Sequence, residues 1–307
     1  MAAIAALTLA TIVHSPAAST ARVSVGDAKP TSRPPAPATP APTTPVPSTA
    51  APTTPPATTT PPPPSLPKII DALAGSHTGS LSVAVAELDG SRSDAYARGD
   101  NDDGTFDTAS IVKVDILAAL LLRAQREGTS LSGRERDLAT DMIEASDNDA
   151  ALALWEDIGG AAGLHTANKK LGLRHTTGGP GDLWGLTQTT APDQIALLRA
   201  VFTTHSALTA ASRSYLTGLM KSVESGQRWG VSAADSDGSG YAIKNGWLQR
   251  SATGLWDINS IGEVRYQGHT LLISVLSEGQ YSEQGAIDLV QRVALAAAKT
   301  LVAEPAK

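Results

Sequence analysis

Proline is concentrated in one stretch of this chain and decides where a folded domain can lie. Of the 20 prolines, 16 fall between Pro30 and Pro67. Residues 28–67 otherwise consist mainly of Thr, Ala and Ser, and they carry too little apolar surface to offset the entropy lost on ordering. The pattern predicts an extended, disordered linker at 28–67, a separate segment at 1–27 and one folded domain at 68–307.

The segment at 1–27 has the composition of an export signal or an anchor. Residues 1–13 are mostly apolar, and small residues follow at 17–19. The apolar run is too short to span a bilayer and lacks a basic beginning, so it is either a signal whose true start lies upstream or the end of a longer anchor. Both interpretations predict an exported protein, secreted or tethered to a membrane or wall. The alternative is a cytosolic protein with a disordered N-terminal tail.

Charge and residue types exclude several function classes. Of the 24 basic and 30 acidic residues, 21 and 29 lie in the predicted domain, so nucleic acid, which needs a concentrated basic face, is not an expected partner. The chain has no cysteine, which excludes disulfides, thiolate metal ligands and a cysteine nucleophile. The histidines show no metal-ligand spacing, and no Rossmann, P-loop or nucleophile-elbow motif occurs. We therefore expect neither a metal nor a cofactor.

Apolar periodicity places strands at both ends of the domain and helices between and after them. Residues 81–88 alternate in polarity and end at Asp89-Gly90, a strong hairpin signal. Further strands are predicted at 242–247, 254–261 and 269–277, and helices at 110–127, 135–155, 194–202 and 283–302. The order predicts an α/β fold of the α+β kind. Its antiparallel sheet is built from both chain ends, flanked by helices, and carries an inserted, mostly helical lobe.

The first candidate site is Ser110-Ile111-Val112-Lys113, at the start of an apolar helical pattern. Three residues make nearly one helical turn, so the hydroxyl and the amine are expected on one face. Apolar neighbours predict burial, which lowers a lysine pKa toward the range of a base, and a serine nucleophile needs a base. Taken alone, the motif fits equally a serine that caps a core helix and a lysine that reaches solvent.

Two further motifs follow in the chain. Ser146-Asp147-Asn148 offers a second hydroxyl and an amide, although the same residues would serve as a helix N-cap. Lys244-Asn245-Gly246 lies on a predicted strand and offers a cation and a backbone edge, although it could equally be an ordinary strand end. The order of the three motifs is far less probable by chance than any one of them.

This order resembles the penicilloyl-serine transferase superfamily, specifically class A β-lactamase-like serine hydrolases and penicillin-binding proteins. The resemblance covers about residues 81–302 and includes Ser-Asp-Asn-Asp-Ala-Ala at 146–151, Ile-Gly-Gly at 158–160 and Thr-Thr-Ala-Pro at 189–192. It implies Ser110 as the acylated nucleophile, Lys113 as its base or proton shuttle, and Ser146 as the proton relay to the leaving nitrogen.

The resemblance also implies the substrate-binding residues. Asn148 would contact the substrate and Lys113, and Lys244 would anchor a substrate carboxylate. The strand residues Asn245, Gly246 and Trp247 would bind beside it, with the backbone N–H of Trp247 and that of Ser110 forming the oxyanion hole.

The sequence departs from the family pattern in three places. The segment between Ser110 and Ser146 is short. The loop between residues 158 and 192 is also short and lacks the E-x-x-x-N signature that positions a deacylating water, so Asp182 or a water held by Gln188 is the candidate replacement. Asn245 stands where the family has Ser or Thr, which weakens carboxylate recognition as it is usually built.

These observations predict an exported, monomeric serine hydrolase that forms an acyl-enzyme on a β-lactam or on a D-alanyl-D-alanine-like stem peptide of peptidoglycan. Slow deacylation and tethering through the N-terminus are part of this prediction. The alternative is a catalytically weak or inactive module of the same fold that binds wall peptide or a protein partner.

Overall fold

The computed structural model describes residues 65–75, 79–99 and 104–303. The predicted segment 1–27 and nearly all of the predicted linker lie outside the described residues. Among the described residues, helix α1 (Leu66–Ala74) comes first, with Pro67 in its first turn and with Leu66 and Ile70 buried. Leu66 and Pro67, which the sequence analysis assigned to the linker, therefore belong to a helix of the folded domain.

A five-stranded antiparallel sheet forms the centre of the domain, in the order β2-β1-β7-β6-β5. Its strands are β1 (Ser80–Glu87), β2 (Ser93–Arg98), β5 (Ala242–Gln249), β6 (Trp256–Tyr266) and β7 (His269–Gln280), and a separate short pair consists of β3 (Phe106–Asp107) and β4 (Gln188–Thr189). This arrangement confirms the predicted antiparallel sheet built from both ends of the domain. Strand β5 lies at the edge of the sheet, so one side of its backbone has no neighbouring strand in this sheet. Helices of the inserted lobe contact this strand.

Both faces of the sheet are covered, which explains why β1 is buried along its whole length. Val83, Val85 and Ile273 pack in one core with α1 and with α8 (Glu283–Ala303). Ala84 and Leu272 pack in a second core with the helical lobe. Because successive side chains of a strand point to opposite faces and both faces are covered here, β7 is nearly continuously apolar over residues 271–276.

The helical lobe lies between β2 and β5 in sequence. Its central helix is α2, in which most residues are buried, and the capping box of Ser132 and Glu135 begins α3. The lobe helices are α2 (Val112–Glu127), α3 (Gly133–Thr140), α4 (Asn148–Asp157), α5 (Gly160–Leu171), α6 (Ala191–Phe202) and α7 (Ala210–Lys221). Within the described ranges, no helix is long and apolar enough to cross a membrane.

Two predicted helices need correction. The helix predicted at 110–127 begins only at Val112, because Ser110 lies in a separate 3₁₀ turn. The helix predicted at 135–155 is interrupted. α3 ends at Thr140, a short π-helical segment follows at Asp141–Ala145, and Ser146 takes the left-handed conformation with φ of 58° before α4 begins. Helices α1, α5 and α7 were not predicted from the sequence pattern.

Candidate active site

Ser110 lies in the 3₁₀ turn Ala109–Ile111, directly before α2. The preceding Ala109 has φ of 46°, a conformation that residues with a Cβ rarely adopt. Asn259 of β6 holds this turn from below, since its Nδ2 donates to the carbonyl oxygens of Asp107 and Thr108 at 2.8 and 3.1 Å. Strained backbone that neighbouring groups hold in place is typical of functional sites.

Strand β5 passes beside the same turn at Gly246. A Cβ at this position would lie 2.8 Å from Ser110 N, which is closer than real Cβ contacts come. The position therefore needs glycine, and the absence of a side chain lets the main chain of Trp247 follow near the nucleophile. The oxyanion hole formed by the N–H groups of Ser110 and Trp247 stays a prediction.

Lys113 lies in the first turn of α2 and is completely buried. Its Nζ donates to the carbonyl oxygen of Ser146 at 2.7 Å, to Ser146 Oγ at 3.1 Å and to Asn148 Oδ1 at 2.9 Å. Burial lowers the pKa of Lys113 to about 7, and the charge of Asp147 opposes this shift. Near neutral pH the Lys113 amine is therefore uncharged in a large fraction of the molecules, and a general base must be uncharged in this way to accept a proton.

The amine of Lys113 is directed to the S-D-N motif and not to the nucleophile. Among the described residues, the structure records no hydrogen bond between Ser110 and Lys113. The expected pairing assumed that both residues lie in one regular helix, whereas Ser110 precedes α2 in a turn of different pitch. The two residues do share one site, and Ser146 is the immediate partner of the lysine.

The hydroxyl of Ser146 lies between two lysine amines. Lys244 Nζ, from β5, donates to Ser146 Oγ at 3.0 Å and to the carbonyl oxygen of the next residue in the strand, Asn245, also at 3.0 Å. Burial lowers the pKa of Lys244 well below its ordinary value, and the charge of Lys113 lowers it further. The charge of Lys113 therefore disfavours a second positive charge on Lys244. A hydroxyl between such amines can pass a proton from one to the other.

The three residues of the S-D-N motif have separate roles in the structure. Asp147 is the N-cap of α4, and its Oδ1 accepts from the Ala150 N–H at 2.7 Å. Asn148 begins α4 and its Oδ1 accepts from Lys113. The capping role therefore belongs to Asp147, and the Ser146 hydroxyl is left to the two lysines.

The side chain of Asn245, one of the predicted substrate-binding residues, faces the protein interior and does not line the cleft. This side chain is completely buried, and its Nδ2 donates to the carbonyl oxygens of Gln227 and Trp229 at 2.7 and 3.0 Å. Its Oδ1 accepts from Ser260 Oγ at 2.6 Å. Strand alternation turns Asn245 to the face opposite Lys244. The amide thus ties the segment before β5 to the sheet.

These groups open into a cleft of about 500 Å³. The cleft is lined by Ala109, Ser110, Ser146, Asn148, Asp182, Leu183, Trp184, Gly185, Leu186, Trp247 and Leu248. Much of its wall is apolar, with Leu183 56% and Trp247 36% exposed. The lining includes Asp182, the candidate replacement base, and this residue is exposed. Within the described residues, no hydrogen bond joins Asp182 to Ser110. In the same ranges, no cluster of three or more metal-ligating side chains is present.

Trp184 is a site residue that the sequence analysis missed. It begins a 3₁₀ turn, Trp184–Leu186, in the loop that lacks the E-x-x-x-N signature. Lys113 Nζ lies over its indole ring, 4.8 Å from the ring centroid. A tryptophan inside a glycine-rich loop between two helices is a sequence signal that could have pointed to it.

Comparison with solved structures defines the class of fold. The chain is similar to TLA-1 extended-spectrum β-lactamase, with a TM-score of 0.65 and 18% identity over 77% of this chain and 98% of that chain. A class A β-lactamase from Bacteroides cellulosilyticus gives a TM-score of 0.66 and 17% identity over 78% and 98%. A variant of PBP-A in an acyl-enzyme complex with penicillin G gives a TM-score of 0.63 and 19% identity over 76% and 94%. The fold is that of the class A β-lactamases and penicillin-binding proteins.

A family model identifies the chain more directly. The model described as the β-lactamase enzyme family matches residues 131–301, more than half of the chain, and the protein therefore belongs to that family. The matched span contains Ser146 and Lys244 and begins after Ser110 and Lys113. No curated protein matches the chain.

Proposed function

We propose that this protein is an exported serine hydrolase that forms an acyl-enzyme at Ser110, on a β-lactam or on a D-alanyl-D-alanine-like peptide of the cell wall. The observation that carries the proposal is the position of Ser146 Oγ, at 3.1 Å from Lys113 Nζ and 3.0 Å from Lys244 Nζ. Both lysine amines are buried and have lowered pKa values, and they lie beside the strained turn of Ser110. Such an arrangement suits proton transfer, and buried charged groups of this kind add little to the stability of a fold.

In the proposed acylation, Ser110 Oγ attacks the carbonyl carbon of the substrate while its proton passes to the neutral Lys113 amine. The oxygen of the tetrahedral intermediate would accept from the backbone N–H groups of Ser110 and Trp247. The C–N bond then breaks, and the leaving nitrogen takes the proton of Ser146. Lys113 returns its extra proton to Ser146 Oγ, so the site ends with an acylated Ser110 and its other protons restored.

Deacylation is proposed to be slow. Hydrolysis of the acyl-enzyme needs a base that activates water, and such assistance is worth about 10²–10⁴ in rate. Asp182 is the one carboxylate among the described residues of the cleft lining. It is exposed, so water competes for its hydrogen bonds. The protein should therefore acylate faster than it deacylates.

The test combines intact-mass spectrometry with burst kinetics. A penicillin should add one acyl group to the protein, and a chromogenic cephalosporin should give a stoichiometric burst followed by turnover near zero. Ser110→Ala should abolish the adduct while keeping the melting temperature within a few degrees, since it removes only one hydroxyl. An adduct that persists in Ser110→Ala would refute the nucleophile, and rapid turnover that is lost in Asp182→Asn would refute slow deacylation.

A binding module without catalysis is the second candidate. It is favoured by the missing hydrogen bond between Ser110 and Lys113 in the described structure and by the inward-facing Asn245 side chain. Wall peptide or a protein partner would then bind along the cleft. Failure of every acylating probe, together with saturable binding of an uncleaved stem peptide, would establish this candidate.

A further inference from the structure

The amine of Lys113 faces two kinds of neighbour. Its hydrogen bonds go to Ser146 and Asn148, and the face of the Trp184 indole lies against it. We propose that Trp184 is a positioning residue that covers the Lys113 amine, keeps water from it and so holds it ready to accept a proton. The proposal rests on the proposed function, in which Lys113 is the base.

The indole is fixed to the nucleophile turn through its own loop. Thr108 N donates to Thr187 O at 2.9 Å, and Thr108 Oγ1 donates to Gly185 O at 3.4 Å. Thr187 N closes the turn on Trp184 O at 3.1 Å. Thr108 and Thr187 are both completely buried. The cover over Lys113 and the turn that carries Ser110 therefore form one hydrogen-bonded unit.

An indole beside an amine has two opposing effects. Its π face attracts the charged ammonium form, whereas the exclusion of water disfavours that form. Burial is the larger influence on Lys113 and lowers its pKa to about 7, and the indole is one of the groups that lie against the buried amine. Loss of the cover should therefore readmit water and return the amine toward its ordinary protonation.

The charged groups around the Lys113 amine do not explain why its pKa is lowered. Asp147, from the segment before α4, favours the ammonium form of Lys113. Lys244, from β5, shares the Ser146 hydroxyl with Lys113, and the charge of Lys113 lowers the pKa of Lys244. Asp115 lies on α2 itself, and Asp182 lines the cleft. In the described structure, no carboxylate hydrogen-bonds to Lys113 Nζ. Burial is therefore the main influence on the protonation state of Lys113, and the Trp184 ring lies against the buried amine.

The experiment measures the titration of Lys113 without any substrate. The intact protein is labelled with ¹³C at lysine Cε, and the Lys113 signal is assigned by its loss in Lys113→Met. Its midpoint should rise in Trp184→Ala by about one pH unit or more, a tenfold fall in the ratio of neutral to charged amine at pH 7. Trp184→Leu keeps an apolar cover without a π face and should leave the midpoint within about half a unit. Trp256→Phe, a partly buried tryptophan outside the cleft, is the matched control and should not move it.

Two results would overturn the proposal. An unchanged midpoint in Trp184→Ala would make the ring a packing element only, and a lowered midpoint would show that it acts by attracting the cation. If Trp184→Ala does not fold, Trp184→Gln replaces it with the same expectation. The pH profile of penicillin acylation is the second readout and should shift with the midpoint. A shifted titration without acylation in any variant would remove the proposed function and leave the positioning of Lys113 by Trp184 established.

Discussion

Gly246 and Ser110 meet backbone to backbone, although more than a hundred residues separate them in the chain. A Cβ at 246 would lie 2.8 Å from Ser110 N and 2.9 Å from Ile111 N. The two lysines that flank Ser146 lie next to these positions in sequence: Lys113 follows the Ser110 turn in α2, and Lys244 precedes Gly246 in β5. The close approach at Gly246 therefore sets the distance at which Lys244 can share a hydroxyl with Lys113.

Gly246→Ala should push β5 away from the nucleophile turn. The neighbours of the new methyl group are main-chain atoms, which cannot rotate away, so we expect a loss of about 1–3 kcal/mol in stability and a large loss of acylation rate. Urea unfolding and penicillin labelling measure the two effects.

Gly218→Ala is the matched control, because a Cβ there meets nothing within 4 Å and alanine suits the middle of α7. It should be neutral or stabilising by about 0.5–1 kcal/mol. Equal behaviour of the two variants would contradict this account of Gly246.

Asn245→Ala should act on stability and not on substrate binding. It removes the partners of the Ser260 hydroxyl and of the Gln227 and Trp229 carbonyl oxygens, and buried groups left without partners cost about 1–3 kcal/mol. Ser260→Ala breaks one of these bonds and also the 2.8 Å bond from Val231 N to Ser260 Oγ, two bonds in place of three, and should lower the melting temperature less. A variant Asn245→Ala with an unchanged melting temperature and a raised KM would instead establish a substrate contact.

The sequence predicted the site in part because its chemistry lies in short, ordered motifs. The motifs supply Lys113, Ser146, Asn148 and Lys244, which hydrogen-bond to one another in the structure, while their roles stay predictions. The sheet follows from strand periodicity at both ends of the domain. The side-chain direction of Asn245 was not predictable, because it depends on the register of β5 against Ser260 of β6. Trp184 was missed because its contact with Lys113 depends on how the short loop folds over the Ser110 turn.

Asp115 should make stability fall between acid and neutral pH. Burial raises the pKa of this carboxyl to about 7, with the Asn168 amide opposing the shift and the Asp193 charge adding to it. Above its unfolded pKa of about 3.9 the unfolded chain ionises while the native carboxyl stays protonated, so stability falls as pH rises to about 7. Asp115→Asn should remove this fall and stabilise the protein at pH 8 by on the order of 2–4 kcal/mol. Melting curves at pH 5 and 8 test this, with the exposed Asp137→Asn as control. A destabilised Asp115→Asn at pH 8 would contradict it.

Lys113 and Lys244 should have the opposite effect in a separate, alkaline window. Burial lowers the pKa of Lys113 to about 7, below the unfolded lysine value of about 10.4, and it lowers the pKa of Lys244 as well. Between these values the unfolded chain binds more protons than the native protein, so stability rises with pH. The rise between pH 7 and 9 in urea unfolding should be smaller in Lys113→Met, and only the double variant with Lys244→Met should lose it. The single variant keeps part of the rise because Lys244 remains buried, and loss of its charged neighbour raises the Lys244 pKa. Lys221→Met, at the exposed end of α7, should leave the slope unchanged. An unaltered slope in the double variant would mean that the two amines carry their full charge inside the fold, and neither could then serve as the base.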